Sequence, residues 1–399
     1  MPPELLRLIV AQVCLHAAMT GTRMAAPLLA LQLGYSPAAV GVLLSLFALT
    51  QVFLALPAGR FADRHGLKRP LGMAVMAACS GAAIAAIHPA FVTLCVAALL
   101  TGGATGVAVI ALQRHVGQAA TGPAELRKVF SWLAIAPAAA NFLGPFGAGL
   151  LIDHAGRTPG DMPGFRVALL VLALLPLVCW ALARRTQDAP GHAPMPGGSK
   201  PRALDLLAAP MFRRLLFINW MQSAAWDVHT FVLPLLGHER GLSASVIGTL
   251  LGAFAVAAAG IRLILPMLAG RWTERQVIAA ANVLTAAVFA AYPLMPGAWA
   301  MGACSVLLGV ALGAVQPMVM SMLHQITPAA RYGEALALRV MTLNASSVAM
   351  PMMFGAAGAL IGVAGLFWVV GAVVALGTPA VRGLAAPSAP SSPPSDQSR

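Results

Sequence analysis

Of the twelve acidic residues in this 399-residue chain, only Asp227 falls deep inside a long apolar run. A carboxylate held away from water is expensive, so one kept there is a functional candidate. Burial works against its charge and a nearby cation works for it, a balance suited to a group that binds and releases protons. The plainer alternative is a structural ion pair or a polar contact between helices. Gln12, His16, Thr20 and Arg23 recur at spacings that gather them within about 80° on one helix. Such a polar stripe seldom faces lipid. Asn219, Ser223, Trp226 and Thr230 make a comparable stripe around Asp227. His229, two residues from Asp227, points to the opposite flank and is expected to meet a neighbouring helix. Asn141, Gln316, Asn344 and Ser347 offer further hydrogen bonding within apolar runs, to a substrate or between helices alike. Arg262 lies near the end of its run, within snorkelling reach of water.

The elements that must hold these residues follow from composition. The chain is 59% hydrophobic and 9% charged, with a mean hydropathy of +0.83. Soluble domains sit nearer 45–50% apolar. Apolar runs of spanning length, roughly 20 residues each, can be counted about twelve times, among them Ala38–Ala58, Phe212–Leu236, Ala335–Leu360 and Gly365–Val381. Each span must close its backbone hydrogen bonds internally, so an all-α membrane protein is expected. The first run is too long and too polar in its middle for a cleaved signal peptide.

A net charge of +13 could suggest nucleic acid, but the basic residues sit at the ends of apolar runs. Arg60, Arg64, Lys68, Arg69, Arg184, Arg185, Arg213 and Arg214 fall in even-numbered loops, whereas odd-numbered loops hold only Arg157, Arg166 and Arg240. That asymmetry puts both termini in the cytoplasm. The basic linker lacks the interleaved aromatics of a nucleic-acid site, so no nucleic-acid partner is expected. Membrane lipid and a small molecule are the expected partners, and the chain is expected to act as a monomer. The five cysteines lie inside apolar runs without metal or disulfide spacing. Thr101-Gly102-Gly103-Ala104-Thr105-Gly106 mimics a dinucleotide loop but has no strand before it. No enzyme, metal or cofactor is expected, beyond a proton as coupling ion.

The densest cluster of charge in the first half is Ala58-Gly59-Arg60-Phe61-Ala62-Asp63-Arg64-His65-Gly66-Leu67-Lys68-Arg69-Pro70, expected as a tight loop between two spans. It resembles the loop between the second and third helices of the major facilitator superfamily, G-x-x-x-D-R-x-G-x-K/R-K/R, on Gly59, Asp63, Arg64, Gly66, Lys68 and Arg69. The resemblance extends over the membrane region. Asn141 to Gly149 is similar to the glycine-proline stretch of the superfamily's exporters, with Gly144, Pro145 and Gly149 matching and alanines replacing two glycines. The run from Gly309 through Gln316-Pro317 and Pro328-Ala329-Ala330-Arg331 to Arg339 is similar to a subgroup of bacterial efflux-type members. The arginine of the superfamily's fourth helix has no counterpart, since Ala98 stands in its place.

The chain also repeats itself. Pro27-Leu28-Leu29, Gly34, Ser36 and Gly41 match Pro234-Leu235-Leu236, Gly241, Ser243 and Gly248 at a constant offset. The charged loop returns, degenerate, as Ala269-Gly270-Arg271-Trp272-Thr273-Glu274-Arg275, and Pro123–Arg127 returns as Pro328–Arg331. The resemblance implies twelve transmembrane helices in two pseudo-symmetric six-helix bundles, residues 1–183 and 212–382, joined by a cytoplasmic linker at 184–211 and followed by a disordered tail at 383–399. Substrate would sit between the halves near the midplane. The first and seventh helices would then face each other, and aligning Pro27 with Pro234 sets Arg23 within roughly 4.5 Å of Asp227 along the axis. Gln12, His16, Trp226, Thr230, Gln316 and Asn344 would line the route. Glu274, Arg275, Gly270, Arg331, Glu334 and Arg339 would belong to the cytoplasmic gate, with Asp63 docking near the start of the eleventh helix.

The function so implied is a secondary transporter in a bacterial inner membrane, exporting an amphipathic small molecule in exchange for protons. Uptake of an organic anion with Arg23 as counter-charge is the alternative, and a non-transporting receptor or scaffold a more distant one.

Overall fold

The computed structural model describes residues 3–119, 133, 135–186, 203–268, 272–327 and 332–384. Long helices dominate it: α1 (Pro3–Gln32), α2 (Pro37–His65), α3 (Lys68–Ile87), α4 (Phe91–Ala119), α5 (Ile135–His154), α6 (Met162–Ala183), α7 (Pro210–Glu239), α8 (Ala244–Leu268), α9 (Glu274–Ala291) and α10 (Ala298–Ile326). The run Tyr332–Leu376 is broken at Gly362, whose φ is 74°. It supplies α11 before the break and α12 after it, and a short α13 (Thr378–Arg382) follows.

Ten stretches among the described residues are long and apolar enough to cross a membrane. The long helices outside that set are α5 and α7. α7 falls short because it carries Asn219, Gln222, Asp227 and His229, and all four are buried. A spanning helix that turns its polar residues inward keeps them from lipid at the expense of mean hydropathy.

Three expectations about boundaries change. The charged cluster is mostly helix: Gly59 to His65 form the last two turns of α2, and the turn is confined to Gly66 and Leu67. Gly66 takes φ 72°, which a side chain would strain, and its N–H closes on the Ala62 carbonyl at 2.9 Å. The seventh helix starts at Pro210, two residues before the predicted run, after a 3-10 turn at Ala203–Ala208. Spans eleven and twelve, expected as separate runs with a gap at 361–364, are joined through Gly362 without a loop. The tail beyond 384, most of the linker, Gly270 and Arg331, and both copies of the repeat at Pro123 and Pro328, lie outside the described residues.

The halves pack alike. In the first, α1 lies on α4, α5 and α6, α2 on α4, and α3 on α4 and α6. In the second, α7 lies on α10 and the α11–α12 run, α8 on α10, and α9 on α10 and the same run. Between halves the contacts concentrate on two helix pairs, α5 with α8 and α2 with α11. The repeat relates these pairs to each other, since α2 corresponds to α8 and α5 to α11. On both seams glycines approach backbone closely towards the end of the bundle opposite the Gly66 turn, hereafter the distal end.

The distal connections differ between halves. The α5–α6 loop is organised by Asp161, which caps α6 through the Gly164 N–H at 2.9 Å and accepts the Arg157 and Thr158 N–H groups at 2.7 and 3.1 Å. Those N–H groups, led by that of Gly164, hold its carboxyl below the usual carboxylate range.

Candidate functional site

α1 and α7 carry matching prolines, Pro27 and Pro234, about one turn before their distal ends. Each proline leaves the carbonyl one turn earlier, that of Arg23 on α1 and of Thr230 on α7, without its helical donor, and Asp227 lies within one turn before Thr230. Arg23 Nη2 and Asp227 Oδ1 are 3.9 Å apart across the two halves. The carboxylate is the more enclosed partner, 7% exposed against 31% for the guanidinium. Ser347 of α11 donates to Asp227 Oδ2 at 3.4 Å. A buried carboxylate with one long ion pair and one long hydrogen bond is poorly compensated. Displacing Arg23 would leave it with Ser347 alone among these contacts.

Arg23 also forms part of a cavity of about 70 Å³ with Thr20, Met24, Asn141, Pro145, Trp226, Thr230, Leu251 and Phe254. Four helices from both halves build that wall. Trp226 is braced edge-on against Phe254 with ring centroids 4.5 Å apart, and the Thr230 hydroxyl turns back to the Trp226 and Asp227 carbonyls. The cavity has room for a few waters and falls short of the roughly 300–1,000 Å³ of a drug-sized site.

The structure distributes the other predicted residues. Thr20 donates to the Ala140 carbonyl at 2.9 Å, tying α1 to α5. Gln12 is buried and His16 half-buried, and Gln12 Oε1 and His16 Nδ1 have no hydrogen-bond partner among the described residues. Gln316 accepts from the Arg339 guanidinium, so it engages α11 rather than the cavity. Asn344 is half-buried on α11, one turn before Ser347. Arg262, expected to snorkel, has its Nε–H directed at the Gly313 carbonyl of α10 at 3.3 Å. His229 meets Ser305 at 3.1 Å and stacks on Phe254.

At the opposite, linker end, Arg64, Arg69 and Arg275 are exposed, Gly59 and Lys68 half-buried and Gly66 buried. Glu274 opens α9 and accepts from Ser321 and Gln325 of α10, each at 2.8 Å, within its own half. Arg339 is buried. The side chains of Asp63 and Glu334 lie outside the described residues.

The α5 glycine-proline stretch forms two contact faces. Gly144 lies so close to α1 that a Cβ there would strike Thr20 and the Ala17 carbonyl. Gly149 meets the Ala244 carbonyl of α8, and Gly248 of α8 meets the Pro145 carbonyl. On the related seam, Gly41 of α2 meets the Pro351 carbonyl and Gly355 of α11. Any side chain at these glycines would collide with backbone, which has no rotamer to yield.

Sequence reasoning missed Asp153. This buried carboxylate at the end of α5 accepts from the Ala244 N–H at 3.2 Å and the Ser245 N–H at 2.7 Å. These are the first two residues of α8, whose N–H groups have no intrahelical acceptor. Ser243 Oγ takes the next, Val246 N–H at 3.4 Å. One half therefore supplies the N-terminal cap of a helix in the other, beside a distal cavity of about 370 Å³ that also includes Gln32 and His238.

Comparison with known proteins agrees with this architecture. The family model described as Major Facilitator Superfamily matches residues 8–218 and again 215–399. The class B tetracycline resistance protein of Escherichia coli is 26% identical over 331 residues, covering 79% of this chain and 77% of that one. A bacterial homologue of the human lysosomal transporter Spinster, solved in an inward-facing and unoccupied conformation, superposes with a TM-score of 0.76 at 13% identity, covering 97% of this chain and 100% of that chain. The nucleoside transporter NupG superposes with a TM-score of 0.74 at 12% identity, over 96% and 99% of the respective chains. The chain belongs to the major facilitator superfamily: it is a multi-pass membrane transporter of small molecules and not an enzyme.

Proposed function

We propose that the protein is a proton-coupled exporter of an amphipathic small molecule, working by alternating access in a bacterial inner membrane. Twelve spans would place both termini and the linker in the cytoplasm, making the distal end periplasmic. The observation that carries this reading is the cross-half pair of Arg23 and Asp227 beside a small shared cavity. In export, a proton arriving on Asp227 cancels the attraction to Arg23, and the two halves lose the ion pair at that point. Likeness to a tetracycline resistance protein favours outward movement of an amphipathic compound. The cavity must enlarge to admit such a cargo, and with the distal end periplasmic, the close glycine packing of the distal seams supports an inward-facing reading of this conformation.

In inverted vesicles, uphill uptake of a transported compound should follow an imposed pH gradient. Asp227→Asn should abolish the uphill component while sparing binding. Gradient-driven transport that survives in Asp227→Asn would overturn the proton role.

One observation favours uptake of an organic anion instead. Arg23 contributes to the cavity wall and Asp227 does not, so an anion entering the cavity would meet the guanidinium first. Thermal stabilisation by carboxylate compounds, lost in Arg23→Ala, would support that direction. Equal stabilisation of both proteins would exclude it.

A further inference from the structure

We propose that the groove between α2, α3 and α4 binds one anionic phospholipid, with an acyl chain in the groove and the phosphate on Arg64 and Arg69. Near the middle of the bundle α4 presses into α2: a Cβ at Gly102 would overlap the Phe47 carbonyl, and one at Gly103 would lie 3.1 Å from Thr50. Towards the linker end the small residues of α4 no longer fill the space against Leu54, Pro57 and Phe61 of α2 and Met73 and Ala77 of α3. A cavity of about 480 Å³ results. Among its described lining residues the single hydroxyl belongs to Thr50, which already donates to the Leu99 carbonyl at 2.9 Å.

A wall with no spare hydrogen-bonding group suits a hydrocarbon chain, because any polar cargo would lose its water there without compensation. The groove opens at the surface of the bundle, where Met73 of its wall is 61% exposed and Phe53 of the adjoining α2 surface 71%. Contiguous exposed apolar surface of this kind marks a binding groove.

Charge at one end selects the headgroup. Arg64 continues the stripe of Leu54, Pro57 and Phe61 at helical spacing, and Arg69 stands one turn before Met73 and two before Ala77. Both arginines are exposed and make no hydrogen bond or ion pair among the described residues. They flank the Gly66–Leu67 turn, at the level where lipid phosphates lie when α2 and α3 span the bilayer. Guanidinium forks match phosphate geometry, and two unpaired cations favour a headgroup with net negative charge over a zwitterion. This site stands apart from the cavity at Arg23 and does not depend on what is transported.

The full chain, equilibrated with vesicles holding equal amounts of phosphatidylglycerol and phosphatidylcholine of matched chains, would be examined by native mass spectrometry. Retention of one phosphatidylglycerol, preferred by at least about fivefold, is expected. Arg64→Gln with Arg69→Gln should erase the preference, and Ala77→Phe should reduce retention of both lipids. On the unaltered protein, phosphatidylglycerol with a photoreactive acyl chain should label residues 50–61, 70–77 and 99–107. Equal retention of the two lipids, or label spread over the other helices, would overturn the proposal. So would undiminished retention in an Ala77→Phe protein of unchanged melting temperature.

Discussion

The two seams between the halves are related by the internal repeat, yet they are closed by different means. Both rely on glycine against backbone, with Gly41 facing Pro351 on one side and Gly248 facing Pro145 on the other. They diverge at the helix N-termini. α2 begins Ser36-Pro37-Ala38-Ala39, and its first helical residue has no N–H to satisfy. Ser36 Oγ accepts the Ala39 N–H at 3.3 Å, so the cap is entirely local. α8 begins Ser243-Ala244-Ser245-Val246, where Ala244 has the donor that Pro37 lacks, and Asp153 answers it from the other half. Among the described residues, one seam is closed by shape alone. The other is shape plus an anion placed at the positive end of a helix dipole. A symmetric-looking closure is thus held unequally, and the α5–α8 side must break two hydrogen bonds whenever the distal end opens.

The largest effect should come from removing what the seams share. Gly41→Leu or Gly248→Leu places a side chain against backbone, so neither seam can close. Transport should fall by more than about tenfold in each, since overpacking of this kind costs about 1–3 kcal/mol or more. Spin labels on the exposed Ala155 and Glu239 should report a widened distal end, and a variant with normal flux and spacing would contradict the closure described for that seam.

Removing what the seams do not share should act on one alone. Asp153→Ala deletes the cross-half cap, worth about 1 kcal/mol by analogy with other N-caps. The distal-open population should rise on the order of fivefold, as read by the same label pair. Ala244→Pro copies the α2 arrangement and removes one of the two donors, so a smaller shift in the same direction is expected. If Ala244→Pro matched Asp153→Ala in full, the Ser245 hydrogen bond would be contributing nothing. Smallest of all should be the serines. Ser36→Ala removes the only side-chain cap of α2, whereas Ser243→Ala leaves Asp153 in place. The first should lower thermal stability more than the second, and the reverse order would place the main cap of α8 on Ser243.

Much of the frame was legible in residue types. The Gly66 turn with its flanking cations, the apolar spans and the half-repeat all follow from local spacing, and the repeat also aligned Arg23 with the Asp227 region. The outlying polar residues were less legible. Gln316 reads in the sequence as a cavity residue, but its partner is Arg339, and no spacing within one helix reveals which neighbour a side chain meets. Asp153 escaped for a related reason. It stands at the end of an apolar run, where a carboxylate needs no explanation, and its partners are backbone N–H groups that leave no mark on composition. The one available signal was a difference between the repeats, proline at 37 against alanine at 244. The break itself was legible between Leu360 and Gly365; that it narrows to Gly362 alone was not, because either glycine could turn the chain.

Gly362 has a practical consequence for anyone who wishes to tag or cleave the distal face. A protease needs several extended residues to engage a chain, and an inserted epitope needs slack on both sides. The α5–α6 connection offers a loop around Ala155 to Gly160, while α11 passes into α12 through a single residue at φ 74°. Insertions should be accepted at the first position and destroy the protein at the second, even though the two are equivalent by the internal repeat.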